Sequence, residues 1–255
     1  MAFNAFHELI HLGPDDIGFG GIDSEFRADR EAFRFYEQAY KEGVVTTPPE
    51  LFKAQLIALR EITAVNLISD NAHHFLNMFI DDPDIDLTDP DQLEHAQSEL
   101  ENISQKLFQR AAREAGGTEE REYLGYYMLD LSEEQKDLYL ALDANETLTV
   151  KERIALFRAQ AGLSDEQKQK YEENINRDLS YSGQKALRFN WPLQYKVVSD
   201  MMAEGAFDDT YYMKKAMERF IKTADNTFPH VFKPALDQEV IPDRAPNEPG
   251  LGNSS

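Results

Sequence analysis

The chain has no cysteine among its 255 residues. Disulfides, thiolate metal sites and a cysteine nucleophile are therefore excluded, and any metal it holds must be bound by histidine and carboxylates. Positive charge is scarce as well: 26 Lys and Arg stand against 47 Asp and Glu, a formal charge of −21. Such a surface repels phosphate backbones and anionic membranes, so nucleic acid is not an expected partner. No stretch approaches the roughly 18 uninterrupted apolar residues that span a bilayer, and the first residues lack the basic flank and cleavage site of a signal peptide. The expectation is a protein without a membrane span, cytoplasmic or secreted without a visible signal. Also missing is any convincing run of period-two alternation bounded by turns, so no substantial sheet is expected.

What is present favours helices. Apolar residues make up 42% of the chain, with 16 Phe and 11 Tyr, enough for a sizeable core. Helix-start signals recur at Thr47-Pro48-Pro49-Glu50, Asp89-Pro90-Asp91-Gln92, Ser132-Glu133-Glu134-Gln135, Thr149-Val150-Lys151-Glu152 and Ser164-Asp165-Glu166-Gln167. Each sets an oxygen-bearing residue three positions before Glu or Gln, so that two orphan backbone N–H groups can be satisfied reciprocally. Ala58, Ile62, Val65, Ile68, Ala72, Phe75 and Phe79 recur at steps of three and four, which predicts one long helix with an apolar stripe. Met213, Ala216, Met217, Phe220 and Ala224 do the same. Two similar segments, Leu131 to Lys136 and Leu163 to Lys168, read as similarly capped helices rather than as a solenoid repeat. The fold class expected is mainly α, divided into a segment 1–46, a helical region 47–233 packing on it, and a Pro-, Asn- and Gly-rich tail 234–255 that cannot bury enough apolar surface to order.

One motif carries chemistry. In His7-Glu8-Leu9-Ile10-His11 the two histidines are four residues apart, on one face of a helix, and can offer two imidazole nitrogens to one metal ion. Glu8 lies beside them, where a general base for an attacking water would sit. A catalytic zinc site needs one more protein ligand and keeps a position for water. Glu25 is the candidate, at the start of a second predicted helix whose stripe Phe26, Phe33, Tyr36 and Tyr40 is apolar and whose Ala28, Ala32 and Ala39 allow close approach. Asp29, one turn after Glu25, can accept a hydrogen bond from the far nitrogen of a ligating histidine.

His7-Glu8-Leu9-Ile10-His11 followed by Glu25-Phe26-Arg27-Ala28-Asp29 resembles the gluzincin class of metallopeptidases over residues 5–40. The resemblance implies zinc held by His7, His11 and Glu25, Glu8 as general base, and Asp29 as the acidic residue that orients a histidine. It also implies substrate-binding strands ahead of the first helix, yet six residues precede His7, so the expectation is either a fragment of a longer chain or a minimal zincin-like pair of helices whose edge strand comes from elsewhere. The segment Gly20 to Phe26 is also loosely similar to the aspzincin pattern, in which Asp23 would be the third ligand. That pattern's Thr after the first Gly, later Tyr and closing Gly are missing, and Glu25 is preferred. A metzincin assignment fails because no His lies six residues after His11.

Other constellations are weaker. Asp81-Asp82-Pro83-Asp84-Ile85-Asp86 suggests a calcium loop, but an EF-hand started at Asp82 would place Leu87 at the glycine turn and Leu93 at the bidentate Glu. His73 and His74, adjacent on a helix, are about 100° apart and cannot both face one metal. Tyr211, Tyr212 and His230 are candidates for stabilising an oxyanion, with aromatic packing the default. The function expected is zinc-dependent hydrolysis of a peptide or protein substrate. The alternative is an acidic helical interaction module carrying a degenerate motif.

Overall fold

A computed structural model describes residues 2–12, 21–70, 72–227 and 229–232. It is 78% helical, and the described residues contain no strand. The helices are α1 (Ala2–His11), α2 (Ile22–Lys41), α3 (Pro49–Ile62), α4 (Ala64–Asp70), a 3-10 helix (Ala72–Phe79), α5 (Pro90–Ala115), α6 (Thr118–Tyr127), α7 (Glu133–Asp143), α8 (Val150–Gln160), α9 (Asp165–Leu187), α10 (Trp191–Ala203), α11 (Tyr212–Thr227) and the short α12 (Pro229–Phe232). The tail expected from 234 lies outside the described residues.

The start signals work through the expected reciprocal chemistry at three places and through one side of it at a fourth. Ser132, Thr149 and Ser164 form complete capping boxes, and Asp89 accepts from Asp91 N and Gln92 N. At α3 the cap is Pro48, with no side-chain bond, rather than Thr47. The long helix expected through Ala58 to Phe79 is broken twice. Thr63 Oγ1 donates to Leu59 O at 2.7 Å, the back-bonding that loosens a helix, and α3 ends there. The stretch Ala72–Phe79 winds more tightly, as a 3-10 helix.

The two similar segments meet each other. The Gln135 and Gln167 amides exchange hydrogen bonds of 3.3 and 3.0 Å, while Gln135 Nε2 donates to Ala161 O and Gln167 Nε2 to Asp130 O. The likeness of the segments thus reflects two caps docked against one another, with no solenoid.

Three cores result. The largest joins α2, α3, α4, the 3-10 helix, α5, α10, α11 and α12. A second, among α6 to α9, is rich in tyrosine, and a small aromatic one pins α1 to α2 and α3. The first two are joined through α5 and α9, which pack so closely at Gly183 that a Cβ there would fall inside the Phe108 carbonyl. The acidic loop is a staple and not a calcium site. Asp82 pairs with Lys215 at 2.6 Å and Arg219 at 3.0 Å, and Asp86 pairs with Arg30 at 3.0 Å.

Candidate metal centre

Phe3 sets the orientation of α1. Its ring is buried against Phe33 and Phe52, at centroid distances of 4.8 and 5.4 Å. One turn later the same face presents His7, and one turn after that His11. On α2, which faces it, Phe26 and Ala28 are buried and Glu25 and Asp29 sit one turn apart. Packing α1 on α2 therefore brings the two sequence motifs together across 22 residues of separation.

The ligand atoms converge. His7 Nε2 lies 3.1 Å from His11 Nε2, and Glu25 Oε2 lies 3.0 Å from the first and 3.5 Å from the second. Four ligands held tetrahedrally about zinc at its usual bond lengths stand about 3.3 Å apart. The three edges fit that figure, and these atoms form the group able to hold a metal ion among the described residues. Glu25 Oε2 is buried and accepts no hydrogen bond, although His7 Nε2, His11 Nε2 and His74 Nδ1 all stand within 3.5 Å of it. A buried carboxylate oxygen surrounded by donors yet bonded to none is an unusual thing to leave in a folded protein. A metal at the point of convergence would resolve it, because the lone pairs would then share one partner.

Behind the ligands both imidazoles are held. His7 Nδ1 meets Asp29 Oδ1 at 2.8 Å, and His11 Nδ1 meets Ser24 Oγ at 3.3 Å. Such outer contacts favour the tautomer whose Nε2 carries the lone pair that a metal would take. Asp29, fully buried, is itself satisfied: Asn77 Nδ2 donates to its Oδ2 at 2.7 Å, and Arg60 of α3 pairs with the same oxygen. Asn77 Nδ2 also donates to Glu25 O at 3.1 Å, so the 3-10 helix grips both carboxylate residues of α2.

The charges agree with this wiring. Burial opposes the charged form of His7, but the hydrogen bond to Asp29 and the negative charges of Asp29 and Glu25 outweigh it and push its pKa up to about 9 in the metal-free site. Burial likewise works against ionised Glu25 and Asp29. The neighbouring histidines, joined at Asp29 by Arg60, nevertheless hold both carboxyls below the usual range. His74 goes the other way, because burial lowers its pKa more than Glu25 raises it.

Of the residues expected from sequence, the structure brings together His7, His11, Glu25 and Asp29. Glu8 is exposed on α1, one position from His7. Asp23 is exposed in the first turn of α2, outside the converging set. Tyr212 packs edge-on against His95 and bonds Gln92, which ties it to the contact between α5 and α11, and His230 is exposed on α12. Sequence reasoning missed Ser24, Arg60 and Asn77, and it set His74 aside. No spacing rule links residues 60, 74 or 77 to residue 25; only the packing of α3 and the 3-10 helix on α2 does.

No protein-family model, curated protein or solved structure matches the chain.

Proposed function

We propose that this protein is a zinc-dependent hydrolase of peptide bonds, with the metal held by His7, His11 and Glu25 and with Glu8 as general base. The observation that carries the reading is the convergence of three ligand atoms with both imidazoles supported from behind. Zinc bound there would supply Lewis acidity, polarising the scissile carbonyl and making water more acidic. The chain's own residues do the rest. Glu8, solvent-exposed beside His7, takes a proton from the attacking water as the water oxygen bonds to the carbonyl carbon and the π pair moves onto the carbonyl oxygen. Glu8 then delivers that proton to the amide nitrogen as the C–N bond breaks, releasing an acid and an amine. Asp29 and Ser24 keep His7 and His11 in the tautomer the metal needs.

Elemental analysis of protein dialysed against zinc tests the first half of this reading. About one zinc per chain, lost in His7→Ala and in His11→Ala, is expected; wild-type protein free of metal would end the proposal. Iron in place of zinc would redirect it, since two histidines and one carboxylate also suit that metal. The second half is tested with Glu8→Gln and a broad peptide library. The variant should keep its zinc and lose turnover.

A second reading, an acidic helical interaction module, has one observation in its favour. With His7 protonated, the set His7, Glu25, Asp29 and Arg60 is a balanced ion cluster that needs no metal. Metal content separates the two.

A further inference from the structure

We infer that His74 is the residue that donates a hydrogen bond to the carbonyl oxygen as negative charge develops on it, and that the 3-10 helix Ala72–Phe79 is the device that holds it there. The inference rests on the metal site proposed above. His74 Nδ1 stands 3.2 Å from Glu25 Oε2 and forms no hydrogen bond to it. An oxygen at the remaining tetrahedral position would also lie about 3.3 Å from Glu25 Oε2. His74 Nδ1 and that oxygen would therefore be neighbours of the same carboxylate atom. His74 falls outside the mutually close set of ligand atoms, and its ring lies 5.9 Å from that of His7, against 4.8 Å between His7 and His11. It stands beside the site and does not close it. Its side chain also keeps 29% exposure, against 10% for His7 and 11% for Glu25, which leaves it open to an arriving substrate.

The helix that carries His74 is unusual. Runs of 3-10 helix beyond three or four residues are uncommon, and this one has eight. Its winding has a consequence. At three residues per turn, positions i and i+3 are eclipsed, so His74 and Asn77 point the same way, toward α2; in an α-helix they would be splayed by about 60°. Asn77 is locked by its bonds to Glu25 O and Asp29 Oδ2. Phe75, Leu76, Met78 and Phe79 are fully buried on the other faces. Rotating the helix to withdraw His74 would break two buried hydrogen bonds and expose four large apolar side chains. The donor is therefore fixed before substrate arrives, the condition under which such groups act best.

The test uses the full chain loaded with cobalt(II), whose visible spectrum reports the coordination sphere, and acetohydroxamate, which needs only an open metal position. Wild-type protein should bind one cobalt and change its spectrum on titration with acetohydroxamate. His74→Ala should keep the metal affinity and the resting spectrum while binding acetohydroxamate about 10- to 100-fold more weakly, the value of one charge-assisted hydrogen bond. His74→Gln, which retains an N–H donor, should fall between. A resting spectrum or metal affinity altered in His74→Ala would make His74 a fourth ligand and overturn the inference, as would wild-type protein whose cobalt spectrum ignores acetohydroxamate. Unchanged acetohydroxamate affinity in His74→Ala would overturn it too, while leaving the metal site intact. Wild-type protein that takes up no metal fails earlier, and identifies the underlying reading as the fault.

Discussion

The helices around the candidate metal centre and the helices α6 to α9 fill their interiors by opposite means. Around α1, α2 and the 3-10 helix, the buried set includes His7, Ser24, Glu25, Asp29 and Asn77. Among the described residues, no buried polar or charged side chain falls in α6, α7, α8 or α9. Their core is aromatic: Tyr123 stacks on Tyr139 and Tyr126 on Tyr171, at centroid distances of 4.6 and 4.1 Å. The phenol oxygens of Tyr123, Tyr171 and Tyr126 are satisfied at the edges, by Tyr139 O, Glu122 O and Arg158 respectively. Burying a carboxylate is costly unless it is paired and hydrogen-bonded, and a scaffold gains nothing from the expense. This protein accepts that cost most heavily in one place, and there every partner of Asp29 comes from a different element.

If that contrast separates a working site from its support, substitutions in the two regions should have separable effects. The largest is expected from Glu8→Gln, which should lower peptide hydrolysis by about 10²- to 10⁴-fold with zinc content unchanged, measured by turnover and elemental analysis on the same preparation. Next comes Asp29→Ala. Removing one partner of a buried ion pair leaves Arg60 uncompensated and should cost about 3–5 kcal/mol of stability, and losing the support of His7 should weaken zinc by about 10- to 100-fold. Phe157→Ala, in the tyrosine-rich core, should cost a similar about 3–5 kcal/mol in denaturant unfolding yet leave zinc affinity alone. A zinc affinity that falls in Phe157→Ala as it does in Asp29→Ala would erase the distinction between the regions.

A smaller effect concerns pH. His7 is raised from 6.5 to about 9 in the metal-free protein. Its protonated form therefore stabilises that state fully below about 6.5, and the contribution is lost as pH rises through about 9. Zinc must displace this proton, so zinc affinity should climb about tenfold per pH unit toward pH 9 and then level off. Calorimetry in buffers of different ionisation heat should show proton release at neutral pH; binding without release would mean that His7 is not a ligand. Asp23→Ala should do least of all, with zinc affinity close to wild type, whereas Glu25→Ala should cripple it.

Much of the frame was readable from local chemistry. Ser132, Thr149 and Ser164 announce helices because a capping box needs only four consecutive residues, and His7 and His11 share a face because four residues make about one turn. Glu25 and Asp29 follow by the same periodicity. The misreadings lie where local rules compete. The apolar stripe from Ala58 to Phe79 is real, since Ile62, Val65, Ile68, Phe75 and Phe79 are all buried. A stripe does not report the breaks at Thr63 and at the 3-10 segment. The expected cap at Thr47 failed because the two prolines after it shift the helix start by one residue.

The sequence by itself determined which residues are able to bind a metal and which segments coil, because hydrogen-bond caps, side-chain periodicity and the chemistry of imidazole and carboxylate all act within a few residues. Tertiary structure alone decided that α1 lies on α2 so that His7 meets Glu25 and Asp29, that Arg60 closes the pair, and that a tightly wound helix sets Asn77 and His74 beside them. Those contacts join residues 22 to 52 positions apart. They depend on how Phe3, Phe26 and Phe75 pack, and packing is settled by the shape of the whole core and not by any short stretch of chain.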